Sequence, residues 1–161
     1  MIALNKKTRN DAILKLEKEF PESNTYKTRM MNWDDIRTCI ANNIEIASHT
    51  MTHDSLITIK DIEDLKTEIL QSKDIIAEKT KTRVNTFTFP NGLYNEQVLE
   101  MCRLADYSNL LTTKEELHEK KPFQKEEHNL IPRISIDKRN VYENIFKIHN
   151  FHNLHFPKKW N

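Results

Sequence analysis

Two histidines lie four residues apart in the segment Ser48-His49-Thr50-Met51-Thr52-His53. Neutral imidazole is a common ligand of zinc and similar divalent ions, and two imidazoles at this spacing can bind one ion if the segment turns helically. The spacing alone also fits two capping or surface histidines. The short apolar run directly before His49 predicts a strand, however, and ligands gather at the C-terminal ends of strands in parallel α/β sheets. The pair is therefore a candidate half of a metal site.

The residues next to the histidines do not complete such a site. Thr50 follows His49 where a zinc metalloprotease has the glutamate that acts as base, which excludes that class. Asp54 is the nearest carboxylate, but an aspartate beside a ligand more often caps the following turn than binds the metal. Further ligands and a base must come from elsewhere.

Two other positions carry possible chemistry. The segment Pro90-Asn91-Gly92 contains the only glycine of the chain; it is either a tight strand-to-helix turn or a loop whose backbone N–H groups stabilise an oxyanion. Arg133 is a charged residue in an otherwise apolar predicted strand, so we expect a buried carboxylate partner that it pairs with structurally or orients as a catalytic acid. Surface or packing roles are predicted for the remaining histidines: His118, His128, His149, His152 and His155.

Composition limits the classes of function. The 161 residues fit one domain, and 25 Lys and Arg nearly balance 24 Asp and Glu, so no global charge would attract nucleic acid or anionic lipid. No apolar run approaches the ~20 residues that span a bilayer, and residues 1–7 lack the apolar region of a signal peptide, which predicts a cytoplasmic protein for the chain as given. Cys39 and Cys102 fall in two predicted helices and are expected to be buried free thiols.

Strands and helices alternate in the prediction, which implies a mainly parallel sheet covered by helices. The predicted strands are residues 44–48, 84–89, 107–111 and 130–136. The first predicted helix begins at Asn10 or Asp11, buries Ile13, Leu16 and Phe20 and is ended by Pro21, and the second begins at Asn32 and buries Trp33, Ile36 and Ile40. The third begins at Thr58 with Asp61, runs to about Lys79 and buries Ile62, Leu65, Ile69 and Ile76. The fourth begins at Asn95 and buries Val98, Leu99 and Cys102, and the last lies around Val141, Ile145 and Ile148. Asn and Asp are expected at left-handed positions that glycine usually fills.

Together these segments resemble the polysaccharide deacetylase family, also called the NodB-homology or carbohydrate esterase family four domain. The order and intervals are similar from about residue 27 to 150. The matching segments are Met31-Asn32-Trp33-Asp34-Asp35-Ile36, Ile44-Glu45-Ile46-Ala47-Ser48-His49-Thr50-Met51-Thr52-His53, Phe87-Thr88-Phe89-Pro90-Asn91-Gly92, Ala105-Asp106-Tyr107 through Leu111-Thr112-Thr113, and Leu130-Ile131-Pro132-Arg133-Ile134.

The resemblance implies a partial or distorted (β/α) barrel and metal-dependent removal of acetyl groups from N-acetylated polysaccharides or oligosaccharides. It implies that His49 and His53 bind the divalent metal, usually zinc, and that the Asn91 backbone N–H helps to hold the oxyanion. It also implies that Arg133 orients the catalytic aspartate.

The chain departs from the family pattern at its start. The family's first motif, a strand ending in Asp-Asp-Gly that supplies the base and the third metal ligand, does not occur here, and the only Asp-Asp, Asp34-Asp35, opens a predicted helix. Residues 1–26 resemble a variable helical insertion of the family, 27–150 an incomplete deacetylase domain, and 151–161 a tail. Ala47 and Asp106 stand where relatives usually have glycine.

These departures imply the C-terminal portion of a deacetylase domain, with weak metal binding and impaired activity in this chain alone. Removing a general base typically costs 10²- to 10⁴-fold in rate. An upstream segment would complete the site and would place the protein outside the cytoplasm or at the envelope. Without that segment, an open sheet edge and an uncovered apolar surface predict self-association.

Three hypotheses remain open. The chain is a deacetylase polypeptide that works with a missing segment, a non-catalytic carbohydrate-binding or structural remnant of that fold, or a metal-binding protein with a different third ligand.

Overall fold

The computed structural model describes residues 6–20, 29–114, 129–136 and 140–148. Within these ranges the helices are α1 (Lys6–Glu19), α2 (Trp33–Ala41), α3 (Ile62–Lys66), α4 (Ser72–Thr80), α5 (Glu96–Leu104) and α6 (Val141–Ile148). The strands are β1 (Thr86–Thr88), β2 (Asn109–Leu111) and β3 (Asn129–Ile131). Single 3-10 turns cover Leu56–Thr58 and Pro90–Gly92, and a π-helical turn, Thr67–Gln71, joins α3 to α4.

The three strands form one parallel sheet in the order β1-β2-β3, with Phe87 opposite Leu110 and Leu110 opposite Leu130. On the other side of β1, Ser48 forms a parallel bridge with Phe87. A parallel connection needs a crossover, and α5 provides it between β1 and β2. The predicted α/β fold with a parallel sheet and flanking helices is confirmed.

The strands are shorter than the sequence predicts. Each of the three named strands pairs over three residues. The predicted strand at 44–48 contributes a single bridge, in which the Ser48 N–H donates to the Thr86 carbonyl and the Thr88 N–H donates to the Ser48 carbonyl. In the part of the chain that the structure describes, β1 is the one strand paired with this segment. Because an edge segment is held on one side only, it need not follow regular strand geometry along its length.

Helix starts and ends mostly follow the predicted polar residues. The Asn32 side chain accepts the backbone N–H groups of Asp34 and Asp35, and the Asp35 carboxylate accepts the Asn32 N–H, so α2 begins with a complete capping box. The Asn95 side chain accepts the Val98 N–H at the start of α5. Asn43 (φ 61°) and Asp106 (φ 54°) take left-handed conformations just after α2 and α5, as expected for a chain with one glycine.

Three helix predictions are wrong. The predicted core face of α2 contains no buried residue, because Trp33, Ile36 and Ile40 are only half-buried. α1 begins at Lys6, so neither Asn10 nor Asp11 caps it. Its predicted core side chains, Ile13, Leu16 and Phe20, are 39%, 48% and 56% exposed. The long helix begins after Asp61, whose carboxylate accepts the Glu63 N–H, whereas Thr58 belongs to the preceding 3-10 turn.

The long helix also changes register. The π-helical turn inserts a wider turn between α3 and α4, and the helix ends at Thr80 with Lys81 left-handed (φ 58°). Leu65 and Ile69 are fully buried as predicted, Ile62 is exposed, and Ile76 packs against the core while partly buried.

The core combines the long helix, α5 and the strands. Its buried members are Leu56, Leu65, Ile69, Val84, Phe87, Phe89, Val98, Met101, Cys102, Ala105, Tyr107 and Leu110. The Phe87 ring lies 5.5 Å from that of Phe89 and 5.1 Å from that of Tyr107, while Phe89 stacks on Tyr94 at 4.8 Å. Such aromatic pairs add to the stabilisation from apolar burial, so the rings fix β1 against β2.

Several predictions fall outside the described residues. These are Pro21 as a helix end, the histidines of residues 118–155, and the tail 151–161. The division at residues 26 and 150 therefore stays a prediction. Cys39 and Cys102 are both free, but only Cys102 is buried as expected, and Cys39 is half-buried. Among the described helices, none is long and apolar enough to cross a membrane.

Candidate functional site

The histidine loop, residues 48–54, leaves the sheet immediately after the Ser48 bridge. The first histidine of this loop is fixed by its neighbour in β1, because His49 Nδ1 lies 2.7 Å from the Thr88 carbonyl oxygen. A carbonyl can only accept, so Nδ1 carries the proton and Nε2 keeps its lone pair in the neutral ring. That arrangement orients an imidazole and leaves the other nitrogen available to a metal.

The second histidine is brought back towards the first by backbone turns. Thr50 (φ 70°) and His53 (φ 58°) are both left-handed, which is unusual for residues other than glycine. The Thr50 hydroxyl accepts the His53 N–H at 2.9 Å and so stabilises the turn. The His49 and His53 rings meet edge to face with their centres 4.7 Å apart.

The pair fits half of a metal site. Two imidazoles bound to one tetrahedral zinc ion at 2.0–2.1 Å would have ring centres on the order of 5 Å apart. Both histidine side chains are exposed, so Nε2 of His49 is accessible. Among the residues that the structure describes, no group of three His, Cys, Asp or Glu side chains could hold a metal ion. Within the described residues there are thus two candidate ligands and no acidic third.

The proline turn, residues 90–92, follows directly after the strand end that binds His49. Asn91 is left-handed (φ 57°), and within the described residues its backbone N–H has no hydrogen-bond acceptor. Gly92 (φ 69°) packs so closely on Thr113 that a Cβ atom would lie 1.9 Å from the Thr113 hydroxyl oxygen. The one glycine of the chain therefore meets a backbone and a steric constraint, and an unpaired N–H is present where the oxyanion donor is predicted.

The expectation for Arg133 is wrong in its structural part. The residue lies beyond the end of β3 and is exposed, rather than inside an apolar strand. Its Nε donates to the Thr112 carbonyl at 2.7 Å, and in the described ranges no carboxylate pairs with it. Because β3 is so short, the charge never needs burial. An orienting role towards a catalytic aspartate stays a prediction.

The carboxylates of Asp54 and Asp35 are already engaged. Asp54 is buried, forms an ion pair with Arg9 of α1 at 2.5 Å, and accepts the Thr52 hydroxyl at 2.6 Å. The bond from the Asn32 N–H, and then that from the Arg29 guanidinium, lower the pKa of Asp35 below its usual value. Asp54 and Asp35 thus both serve structural hydrogen bonds. For Asp35 this agrees with the predicted position of Asp34-Asp35 at the start of a helix.

Glu68 is a site residue that was not predicted from the sequence. It is only 4% exposed, and its carboxylate accepts the backbone N–H groups of Met51 and Thr52, each at 2.9 Å. Its other oxygen accepts the Thr52 hydroxyl at 2.7 Å. A signal was present, since Glu68 occupies the apolar face of the long helix, three residues after Leu65 and next to Ile69. A single acid on a buried face predicts a specific partner.

A buried hydroxyl cluster anchors the start of the loop. The Ser48 hydroxyl lies 2.7 Å from that of Ser72, and the Ile69 carbonyl accepts the hydroxyls of Ser72 (3.0 Å) and Tyr107 (3.0 Å). Burial raises the pKa of Tyr107 to about 12. Burial likewise raises the pKa of the Cys102 thiol to about 12, so neither group is a nucleophile or base near neutral pH.

Similar folds occur in solved deacetylases. The Streptococcus pyogenes deacetylase PplD, in complex with acetate, is 19% identical with a TM-score of 0.61, covering 75% of this chain and 51% of that one. A polysaccharide deacetylase from Bacillus cereus is 18% identical (TM-score 0.53; 78% and 42%). A de-N-acetylase from Aggregatibacter actinomycetemcomitans is 15% identical (TM-score 0.55; 89% and 70%). This likeness shows the fold, a partial (β/α) barrel, and the chain spans about half of the first of these proteins.

A comparison with curated protein sequences gives no match. The family model described as polysaccharide deacetylase matches residues 16–110, which is more than half of the chain and includes both the histidine loop and the proline turn. On this match the chain belongs to the polysaccharide deacetylase family.

Proposed function

We propose that this chain supplies the histidine half of a metal-dependent deacetylase site that acts on N-acetylated sugar polymers. One observation carries the proposal: a histidine with Nδ1 bound to a carbonyl has its second ring nitrogen available beside another histidine, at the strand end that leads into the Asn91 turn. His49 and His53 would hold a divalent metal, zinc in the first instance.

The residues divide the work of amide hydrolysis. When bound, the metal would lower the pKa of a water molecule and polarise the amide carbonyl. The Asn91 N–H would donate to the oxygen that becomes negatively charged, which is the largest single contribution in many acyl transfers. The Thr88 carbonyl keeps the His49 ring in the required tautomer.

The acidic half of the site would come from outside these 161 residues. A segment with the family's Asp-Asp motif would supply the base and the third ligand, and the side of residues 44–48 away from β1 is where a further strand can pair. If nothing pairs there, this edge favours association between copies of the chain.

Zinc titration calorimetry tests the metal site. Wild type should bind zinc and His49→Ala should lose that binding, because one imidazole alone cannot chelate. His152→Ala is the matched control, since the sequence predicts no ligand role for His152, and it should bind like wild type. Equal titrations of wild type and His49→Ala would remove the ligand assignment.

Acetate release tests the reaction. We expect none from chito-oligosaccharides or peptidoglycan fragments with this chain alone, and release once a segment carrying the Asp-Asp motif is supplied. Turnover by the chain alone would place the base within these residues.

A second candidate is a non-catalytic carbohydrate-binding remnant of the fold. It is favoured by the lack of a third acidic ligand among the described residues and by the hydrogen bonds that engage Asp35 and Asp54. Binding of chito-oligosaccharides without acetate release, even with the added segment, would support it.

A further inference from the structure

Glu68 is a buried carboxylate with no part in the chemistry described above. It lies in the π-helical turn Thr67–Gln71 that interrupts the long helix. Such turns shift the helical register and often occur at functional sites, where they re-aim a side chain. Here Glu68 contacts the backbone between the two histidines.

Both oxygens of the carboxylate are occupied by the histidine loop. One oxygen accepts the N–H groups of Met51 and Thr52, and the other accepts the Thr52 hydroxyl. These N–H groups belong to consecutive residues, so the carboxylate fixes the direction of the chain at the middle of the loop. Within the described residues neither N–H has another acceptor, so the Glu68 carboxylate is the partner that holds this part of the loop.

The loop needs such a tie because its backbone is strained. Thr50 and His53, on either side of Met51 and Thr52, are both left-handed, and Thr50 is β-branched. Conformations of this kind persist only where the surroundings enforce them. Without the carboxylate, the loop would relax towards ordinary backbone angles, and His53 would leave its position beside His49.

The contacts extend beyond Glu68. The Thr52 hydroxyl oxygen lies 2.7 Å from a Glu68 oxygen and 2.6 Å from an Asp54 oxygen, so its one proton can be donated to either carboxylate, and Asp54 is paired with Arg9 of α1. Met51 and Thr52 of the loop border a cavity of about 660 Å³ that Glu68, Asp54 and Lys7 also help to line.

We propose that Glu68 is the positioning residue of the histidine pair, which holds the loop in the conformation that presents His49 and His53 to one metal ion. The proposal rests on the proposed function for its consequence, metal binding, but its structural part concerns this chain alone. Outer groups that orient metal ligands typically change affinity 10- to 100-fold when they are removed.

Two substitutions separate hydrogen bonding from charge. Glu68→Leu removes every acceptor. Glu68→Gln keeps one oxygen that can accept both N–H groups, while its amide can donate to the Thr52 hydroxyl, whose proton then goes to Asp54. We expect Glu68→Leu to weaken zinc binding about 10- to 100-fold and Glu68→Gln to stay within about threefold of wild type.

Two controls exclude general effects of mutation. Glu63→Leu removes an exposed carboxylate from the same helix and should leave zinc binding unchanged. Leu65→Ala empties a buried site in that helix and should lower the melting temperature without weakening zinc binding. If Leu65→Ala loses zinc affinity in proportion to its loss of stability, Glu68 is only structural and the proposal fails.

Amide hydrogen exchange followed by NMR gives a readout that needs no metal. The N–H groups of Met51 and Thr52 should be protected in wild type and Glu68→Gln, and should exchange at least tenfold faster in folded Glu68→Leu. Unchanged exchange in Glu68→Leu would overturn the positioning role. If exchange behaves as expected but wild type and His49→Ala bind zinc alike, the metal function fails while the role of Glu68 in the loop stands.

Discussion

The histidine loop and the proline turn both place non-glycine residues in left-handed conformations next to β1, but different forces hold them. The histidine loop depends on side chains from distant segments, because Glu68 accepts two of its N–H groups and Ser72 contacts its first residue. The proline turn depends on its own residues and on close packing of Gly92 against Thr113. A strained turn can therefore be specified either by polar contacts from distant side chains or by its own residues together with one close packing contact.

The largest effect should come from breaking the packing of the proline turn with Gly92→Ala. The added Cβ would lie 1.9 Å from the Thr113 hydroxyl oxygen, in a backbone conformation (φ 69°) that L-residues adopt with strain. Overpacking and strain each cost about 1–3 kcal/mol, so we expect a loss of about 3 kcal/mol in the free energy of unfolding, measured by urea denaturation.

Thr113→Gly in the same chain separates the two causes. It removes the hydroxyl, Cβ and methyl atoms that the new Cβ would meet, so the double variant should recover the steric part and keep the cost of the left-handed backbone. A loss below about 1 kcal/mol for Gly92→Ala would mean that the turn is less constrained than its packing indicates.

The same contrast explains what could be predicted from the sequence. Pro90-Asn91-Gly92 is a local signal, and so are the caps Asn32 and Asn95, because each acts on backbone groups within a few residues. The histidine pair and the order of the segments were sufficient to predict the family and its parallel sheet. These features need no knowledge of distant contacts.

The rest depends on contacts between distant parts of the chain. Glu68 reaches residues 16 and 17 positions away, and its role is visible only once the π turn and the histidine loop are placed together. The prediction that Arg133 lies inside an apolar strand was wrong, because the apolar residues around it predicted a strand longer than the three pairing residues of β3. The predicted burial of the apolar face of α1 was wrong for a similar reason, since the spacing of apolar residues shows that a helix has an apolar face but not which part of the chain covers it.

A smaller effect should appear in the pH dependence of the cluster that anchors the histidine loop. Burial raises the pKa of Tyr107 from the ordinary value near 10 to about 12. The folded state thus holds this proton more tightly than the unfolded state, so the stabilisation is complete below pH 10 and is lost as the pH rises to about 12. The loss should be about 2 kcal/mol for a shift of this size.

Urea denaturation between pH 8 and 12 measures this loss, with Tyr107→Phe as the matched control. The variant lacks the ionising group, so its stability should fall less steeply, and the difference in slope isolates Tyr107 from Cys102, which titrates in the same direction. Parallel slopes would show that burial does not raise the pKa of Tyr107 in the folded protein.

The smallest effects should come from replacing left-handed residues with glycine, and the sign of the change shows whether the replaced side chain itself makes a stabilising hydrogen bond. Lys81 is exposed, ends the long helix with φ 58°, and uses only its backbone N–H, which donates to the Ala77 carbonyl. Lys81→Gly removes the strain and keeps that bond, so it should stabilise the protein by about 1 kcal/mol.

Thr50→Gly removes similar strain at φ 70° but also the hydroxyl that accepts the His53 N–H, so its gain should be cancelled or reversed. Urea denaturation of both variants gives the comparison. Equal stabilisation would mean that the Thr50 hydroxyl adds nothing to the histidine loop and that Glu68 alone holds its shape, whereas the expected difference means that the position of His53 also depends on a bond within the loop.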